Sequence, residues 1–129
     1  MASKGATSVQ EELGFEAVSL HSLDEMGDVE RDTLPFGVVG FAADTAVQVY
    51  NATEARMSGL DRTSVIGVPF FEAVAQCMNN FMVAQRFEDE PEIDAVVPYI
   101  LTLRMRPTKV RLRLLASADT VRRYILIER

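Results

Sequence analysis

Cysteine and histidine each occur once in this chain of 129 residues. A single cysteine, Cys77, rules out an intrachain disulfide and a Cys-only metal site. A single histidine, His21, rules out a multi-histidine metal centre. Basic residues are also short: 13 Lys and Arg against 19 Asp and Glu leave a net charge of −6. Overall charge therefore does not draw the chain to nucleic acid. No apolar run is long enough for a signal peptide or a membrane span, and the Met-Ala start lacks the glycine that myristoylation needs. The expectation is a short tail on a cytoplasmic protein with no membrane and no nucleic-acid partner. In such a protein the sequon Asn51-Ala52-Thr53 is an accidental match.

What is present is a composition with 48% hydrophobic and 25% charged residues. That suits one soluble domain, 1–129, and is too apolar for a disordered chain. A chain of this length buries roughly two-thirds of its unfolded surface, enough for one core and an enclosed ligand. No repeat or Pro/Gly/Ser linker divides it. We read 1–31 as a tail and N-terminal helical cap and 36–129 as the core.

Residues 11–31 suit one or two short helices, with Ser22-Leu23-Asp24-Glu25 as a capping box. Residues 36–42 and 46–50 read as a strand pair turned by Ala43-Asp44-Thr45. Asn51-Ala52-Thr53-Glu54 opens a short helix that ends at Gly59. Phe70, Val74, Cys77, Phe81 and Ala84 form a helical stripe over 69–89. The acidic run 88–94 is a solvated loop that Pro91 keeps from being helical. Strands follow at 95–105, after Pro107, and at 121–128. In the middle one, Val110, Leu112 and Leu114 alternate with Lys109, Arg111 and Arg113, predicting a buried face and a wet basic face. Two strands, helices, then three strands is the order of PAS domains. The fold class is α+β: an antiparallel five-stranded sheet with helices on one face, an N-terminal cap, and a pocket between helices and sheet.

Few residues carry chemistry. Cys77 reads either as a small buried hydrophobe on a helical stripe or as a nucleophile or attachment point. A thiol enzyme would need a base, and no pattern places His21 beside it. Glu54 reads either as the back-reaching member of a cap or as an interior group. In the second case Tyr50, Glu54 and Ser58, four residues apart, converge on one region. Met105 and Phe36, Phe41, Phe70, Phe71, Phe81 and Phe87 are core by default.

Tyr50-Asn51-Ala52-Thr53-Glu54, Gly59, Val65-Ile66-Gly67-Val68-Pro69-Phe70-Phe71, Cys77 and Met105-Arg106-Pro107-Thr108-Lys109-Val110 together resemble the photoactive yellow protein family. Phe36-Gly37 and the last strands also fit, so the resemblance covers residues 13–129. It implies a blue-light receptor, not an enzyme, that carries p-coumaric acid (4-hydroxycinnamic acid) as a thioester on Cys77. It puts donors to the phenolate on Tyr50 and a protonated Glu54, places Ser58 behind Tyr50, and sets Met105 in the loop over the chromophore. It further implies trans–cis isomerisation, proton transfer from Glu54, loosening of the cap and a downstream signalling partner.

Five residues depart from the family pattern. Leu60 stands where an Arg is frequent, Leu101 and Leu103 replace aromatic residues, Gln76 replaces Pro, and Met78 stands where Thr is common. The stretch before residue 95 is about three residues shorter than the family pattern. The alternative reading is a PAS domain without pigment that binds a small apolar ligand or a signalling partner.

Overall fold

The computed structural model describes residues 13–102 and 106–129. Two short helices come first, α1 (Leu20–Glu25) and α2 (Asp28–Asp32). The cap of α1 is Ser19, whose hydroxyl accepts from the Ser22 amide at 3.0 Å. The box expected at Ser22–Glu25 is therefore displaced: Ser22 lies inside the helix, and Glu25 pairs with His21 at 3.1 Å. Ser19 offers the same acceptor three residues earlier. Starting there turns Leu20 and Leu23 toward the apolar cluster that they join.

Five strands form one antiparallel sheet: β1 (Gly37–Phe41), β2 (Val47–Tyr50), β3 (Ile93–Leu101), β4 (Thr108–Ser117) and β5 (Thr120–Glu128), in the order β2-β1-β5-β4-β3. The β1–β2 turn is closed by Asp44, whose carboxylate accepts from the Ala46 amide at 3.0 Å, with Thr45 in the left-handed region. Pro98 is tolerated because β3 is an edge strand that needs donors on one side only.

The connection from β2 to β3 crosses one face of the sheet. It contains α3 (Ala52–Ser58), α4 (Arg62–Val65), a π-helical turn (Phe70–Val74), a 3₁₀ turn (Gln76–Met78) and α5 (Ala84–Asp89). The single helix expected over 69–89 is thus three pieces. One break falls at Ala75, at φ −130° and ψ 68°, and the other at Asn79-Asn80, where the Asn80 side chain accepts from the amides of Met82 at 2.9 Å and Val83 at 3.2 Å. Such local side-chain bonds compete with a helical ladder. One consequence is that Phe81, expected in the core, is 79% exposed. Phe41, Phe70, Phe71 and Phe87 do cluster, with ring centroids 5.1–6.4 Å apart.

Each face of the sheet carries an apolar cluster. Val39, Phe41, Leu112, Leu114, Ile125 and Ile127 point to the crossing helices. Val38, Val49, Leu115, Tyr124 and Leu126 point to the cap, where they meet Phe15, Val18, Leu23, Leu34 and Phe36. The wet basic face expected on β4 holds at Lys109 and Arg111, which are exposed, and fails at Arg113, which is buried. Arg111 and Arg113 share the parity of Leu115 and so face the cap. Arg113 is 5% exposed; it donates to the carbonyls of Phe15 (3.0 Å) and Val18 (2.6 Å) and to both oxygens of Asp94 (2.9 and 3.0 Å). Arg111 pairs with Glu16 and Glu128 and lies 5.0 Å from the centre of the Phe15 ring. Lys109 stays exposed.

Candidate functional site

The site is built at the junction of β2 and α3. Asn51 caps α3 as expected, and Gly59 ends it in the left-handed region at φ 77°. The Asn51 amide uses all its capacity. Its oxygen accepts from Val38 (2.9 Å) and Glu54 (3.0 Å), and its nitrogen donates to the carbonyls of Arg31 (2.9 Å) and Phe36 (3.0 Å). This fixes the first turn of α3 against β1. Tyr50 and Ser58 are then brought together, with their oxygens 2.8 Å apart. Ser58 Oγ also accepts from the Leu60 amide at 3.2 Å. When Ser58 donates to Tyr50, the phenolic proton of Tyr50 is left for a ligand.

Glu54 is 1% exposed. Its cap-member reading fails, because both carboxylate oxygens turn inward to the Arg129 guanidinium, at 2.7 and 3.1 Å. Bidentate pairing of this kind is the strong form of the Arg–carboxylate contact. Position 37 has to be glycine for this geometry, since a Cβ there would sit 2.1 Å from Glu54 Oε1. Burial pushes the Glu54 carboxyl above its usual range, and Arg129 pulls it back down. Tyr50 is pushed up to about 12, first by burial and also by the Glu54 charge, against the opposing effects of Ser58 and Arg129.

Cys77 lies on the 3₁₀ turn as a half-buried free thiol. It packs against the same apolar cluster that contains Tyr50 and Leu101. Its carbonyl accepts from the Tyr99 hydroxyl and from Asn80 Nδ2, so the edge strand clamps this turn. His21 is occupied by Glu25 on an exposed helix face. A cavity of about 450 Å³ opens beside the polar pair, lined in part by Ser58, Gly59, Leu101, Arg106, Thr108 and Arg129. Leu60 packs against the core. Met105 and Leu103 lie outside the described residues. Among the described residues, no cluster of His, Cys, Asp and Glu is placed to hold a metal, and no helix is long and apolar enough to cross a membrane.

Three contributors escaped the sequence reading. Arg129 continues the alternation of Ile125 and Ile127, and that parity was the available signal. Tyr99 shares parity with Leu101 on β3. For Asn80 the sequence held no comparable sign.

A five-stranded antiparallel sheet in this order, crossed by short helices on one face, defines a PAS domain. A solved PAS domain of an HTR-like protein from Haloarcula marismortui has the same fold at a TM-score of 0.58 and 18% identity, over 85% of this chain and 98% of that one. No family model matches the chain. A photoactive yellow protein from Halochromatium salexigens is 31% identical over 112 residues, covering 84% of this chain and 90% of that protein. The photoactive yellow protein domain of the sensor histidine kinase Ppr from Rhodospirillum centenum superposes at a TM-score of 0.77 with 31% identity, over 84% of this chain and 98% of that one. The chain belongs to the photoactive yellow protein family.

Proposed function

We propose that the chain is a cytoplasmic blue-light photoreceptor, not an enzyme, that carries a p-coumaroyl group as a thioester on Cys77 and signals to a downstream protein. One observation carries the reading: Tyr50, Glu54 and Ser58 are buried together beside the core cluster against which the chain's only thiol packs. The donor set suits the group, with a thiol to hold an acyl carbon, buried oxygens for a phenol, and one apolar cluster that both adjoin. A thiol that must stay reduced to be acylated also suits the cytoplasm.

Bound there, the group supplies a light-driven trans–cis isomerisation and a phenol oxygen that exchanges a proton. The chain's residues do the rest. Cys77 Sγ holds the acyl carbon. Tyr50 donates its phenolic proton to the ligand oxygen, with Ser58 donating in turn to Tyr50. Glu54 keeps a proton because burial disfavours its charge, and releases it to the phenolate once the geometry changes. A buried carboxylate keeps a desolvation cost even beside Arg129, and the domain is held together by only roughly 5–15 kcal/mol. The cap, which closes on the sheet through short helices, is the element that yields.

The test is reconstitution with activated p-coumarate, read by mass spectrometry and absorbance. A single acyl adduct on Cys77 and a yellow product are expected, with Cys77→Ser folded and colourless. Folded wild-type protein that takes up no adduct overturns the reading in favour of a PAS domain without pigment.

A further inference from the structure

We propose that Arg129 is the standing counter-cation of Glu54, a positioning residue that lets this buried carboxyl lose its proton without leaving an unpaired charge in the core. The pairing is bidentate, and the two side chains are 14% and 2% exposed. The groups facing Glu54 are few. β1 presents only the bare backbone of Gly37, β2 presents Tyr50, and the residue after β5 is Arg129. Arg56 and Arg106 line the same cavity as Arg129 and add like charge there. No other cation is paired with Glu54 among the described residues.

The inference deepens the proposed photoreceptor reading and rests on it for its role in signalling. When Glu54 gives its proton to the phenol oxygen, one O–H bond breaks and another forms. The net charge inside the site stays constant, and Arg129 already sits where the new carboxylate needs it. The ionised state of Glu54 is then stabilised in place rather than by water entry. It should be longer lived, and the strain passed to the cap should be smaller, than if the carboxylate stood alone.

The decisive measurement is the titration of the Glu54 carboxyl by ¹³C NMR, first in pigment-free protein. Arg129→Gln should raise its midpoint by at least about one pH unit, a tenfold change in proton affinity, and Arg129→Lys should recover part of the shift. A purely structural role would move stability without this titration. In pigmented protein, infrared difference spectra should show the ionised Glu54 signal after a flash decaying several-fold faster in Arg129→Gln. An unmoved Glu54 midpoint in folded Arg129→Gln overturns the inference, whether or not pigment attaches. Should Arg129→Gln not fold, Arg129→Met decides in its place: an unmoved midpoint overturns the inference, and a raised one supports it. Wild-type protein that takes no pigment while the midpoint shifts overturns the photoreceptor reading and leaves the ion pair in force.

Discussion

Replacing Arg113 by Met keeps most of the buried stem and removes the guanidinium. Four hydrogen bonds go with it, and they are not equal. The two to Asp94 end on a side chain that is 62% exposed, so that arm is worth about 0–1 kcal/mol. The two to the carbonyls of Phe15 and Val18 are buried, and bonds from a charged donor are worth about 1.5–3 kcal/mol each. The cap edge admits some water, so the lower end applies: Arg113→Met should cost about 3 kcal/mol and Asp94→Asn no more than about 1. Urea unfolding of both variants gives the difference. Hydrogen exchange localises it, with faster exchange expected over 13–26 before any change over 110–116. Equal losses in the two variants, with cap exchange unchanged, would refute the idea that Arg113 holds the cap.

Three other outcomes follow from the site. Tyr50 is an acid raised from 10.0 to about 12, so its neutral form is favoured by the fold. That contribution is full below pH 10 and lost as pH rises toward 12, about 3 kcal/mol in all. Wild type should therefore lose more stability than Tyr50→Phe over that range in urea melts, and parallel curves would count against it. Gly37→Ala should cost about 1–3 kcal/mol by overpacking against the Glu54 carboxylate, and less in a Glu54→Ala background; equal thermal shifts in both backgrounds would mean the clash is elsewhere. In pigmented protein Glu54→Gln should shift the dark band to the red, because an amide is the weaker donor and leaves more charge on the phenolate. An unchanged spectrum would place Glu54 away from the ring.

Much of the site was legible because it is local. Tyr50, Glu54 and Ser58 are four apart across a strand end and one helix, and Asn51 is a cap residue in a cap position, so short-range rules reach all of them. The succession of strands and helices along the chain was readable for the same reason. Errors came where one rule was applied without its partner. The stripe over 69–89 has helical spacing, yet Asn79-Asn80 offers side-chain bonds that end a helix, and Phe81 leaves the core as a result. Alternation on β4 sorted its residues correctly into two faces. It could not say that Arg113 is roofed by the cap, because that depends on contacts nearly a hundred residues away in sequence. Arg129 was hidden similarly: parity puts it on the site face, but only the closed sheet brings it to a carboxylate 75 residues earlier.

The cap is held at its inner end; at α1, where Tyr124 donates to Asp24 and Arg31 to the Leu23 carbonyl, each at 2.9 Å; and at its outer end. At its inner end, residues 31–36 are tied to the first turn of α3. Asn51 binds the carbonyls of Arg31 and Phe36, Thr53 Oγ1 donates to the Leu34 carbonyl at 2.6 Å, and Asp32 accepts from the Ala52 amide at 2.8 Å and from Arg62 at 2.6 Å. Asn51 and Thr53 are buried, and a satisfied buried network of this kind is rigid. At the outer end the polar anchoring falls on Arg113, braced by an exposed Asp94, and on the exposed Arg111 pairs. Glu54 sits in the turn that the inner network fixes, so a change of charge there acts on a part of the cap that cannot easily move alone. The strain is relieved at the outer end, Phe15–Val18, where the polar anchoring hangs on the single side chain of Arg113 rather than on a network. That is why exchange over 13–26, rather than over 28–34, is the readout that distinguishes release of the cap from loosening of the whole domain.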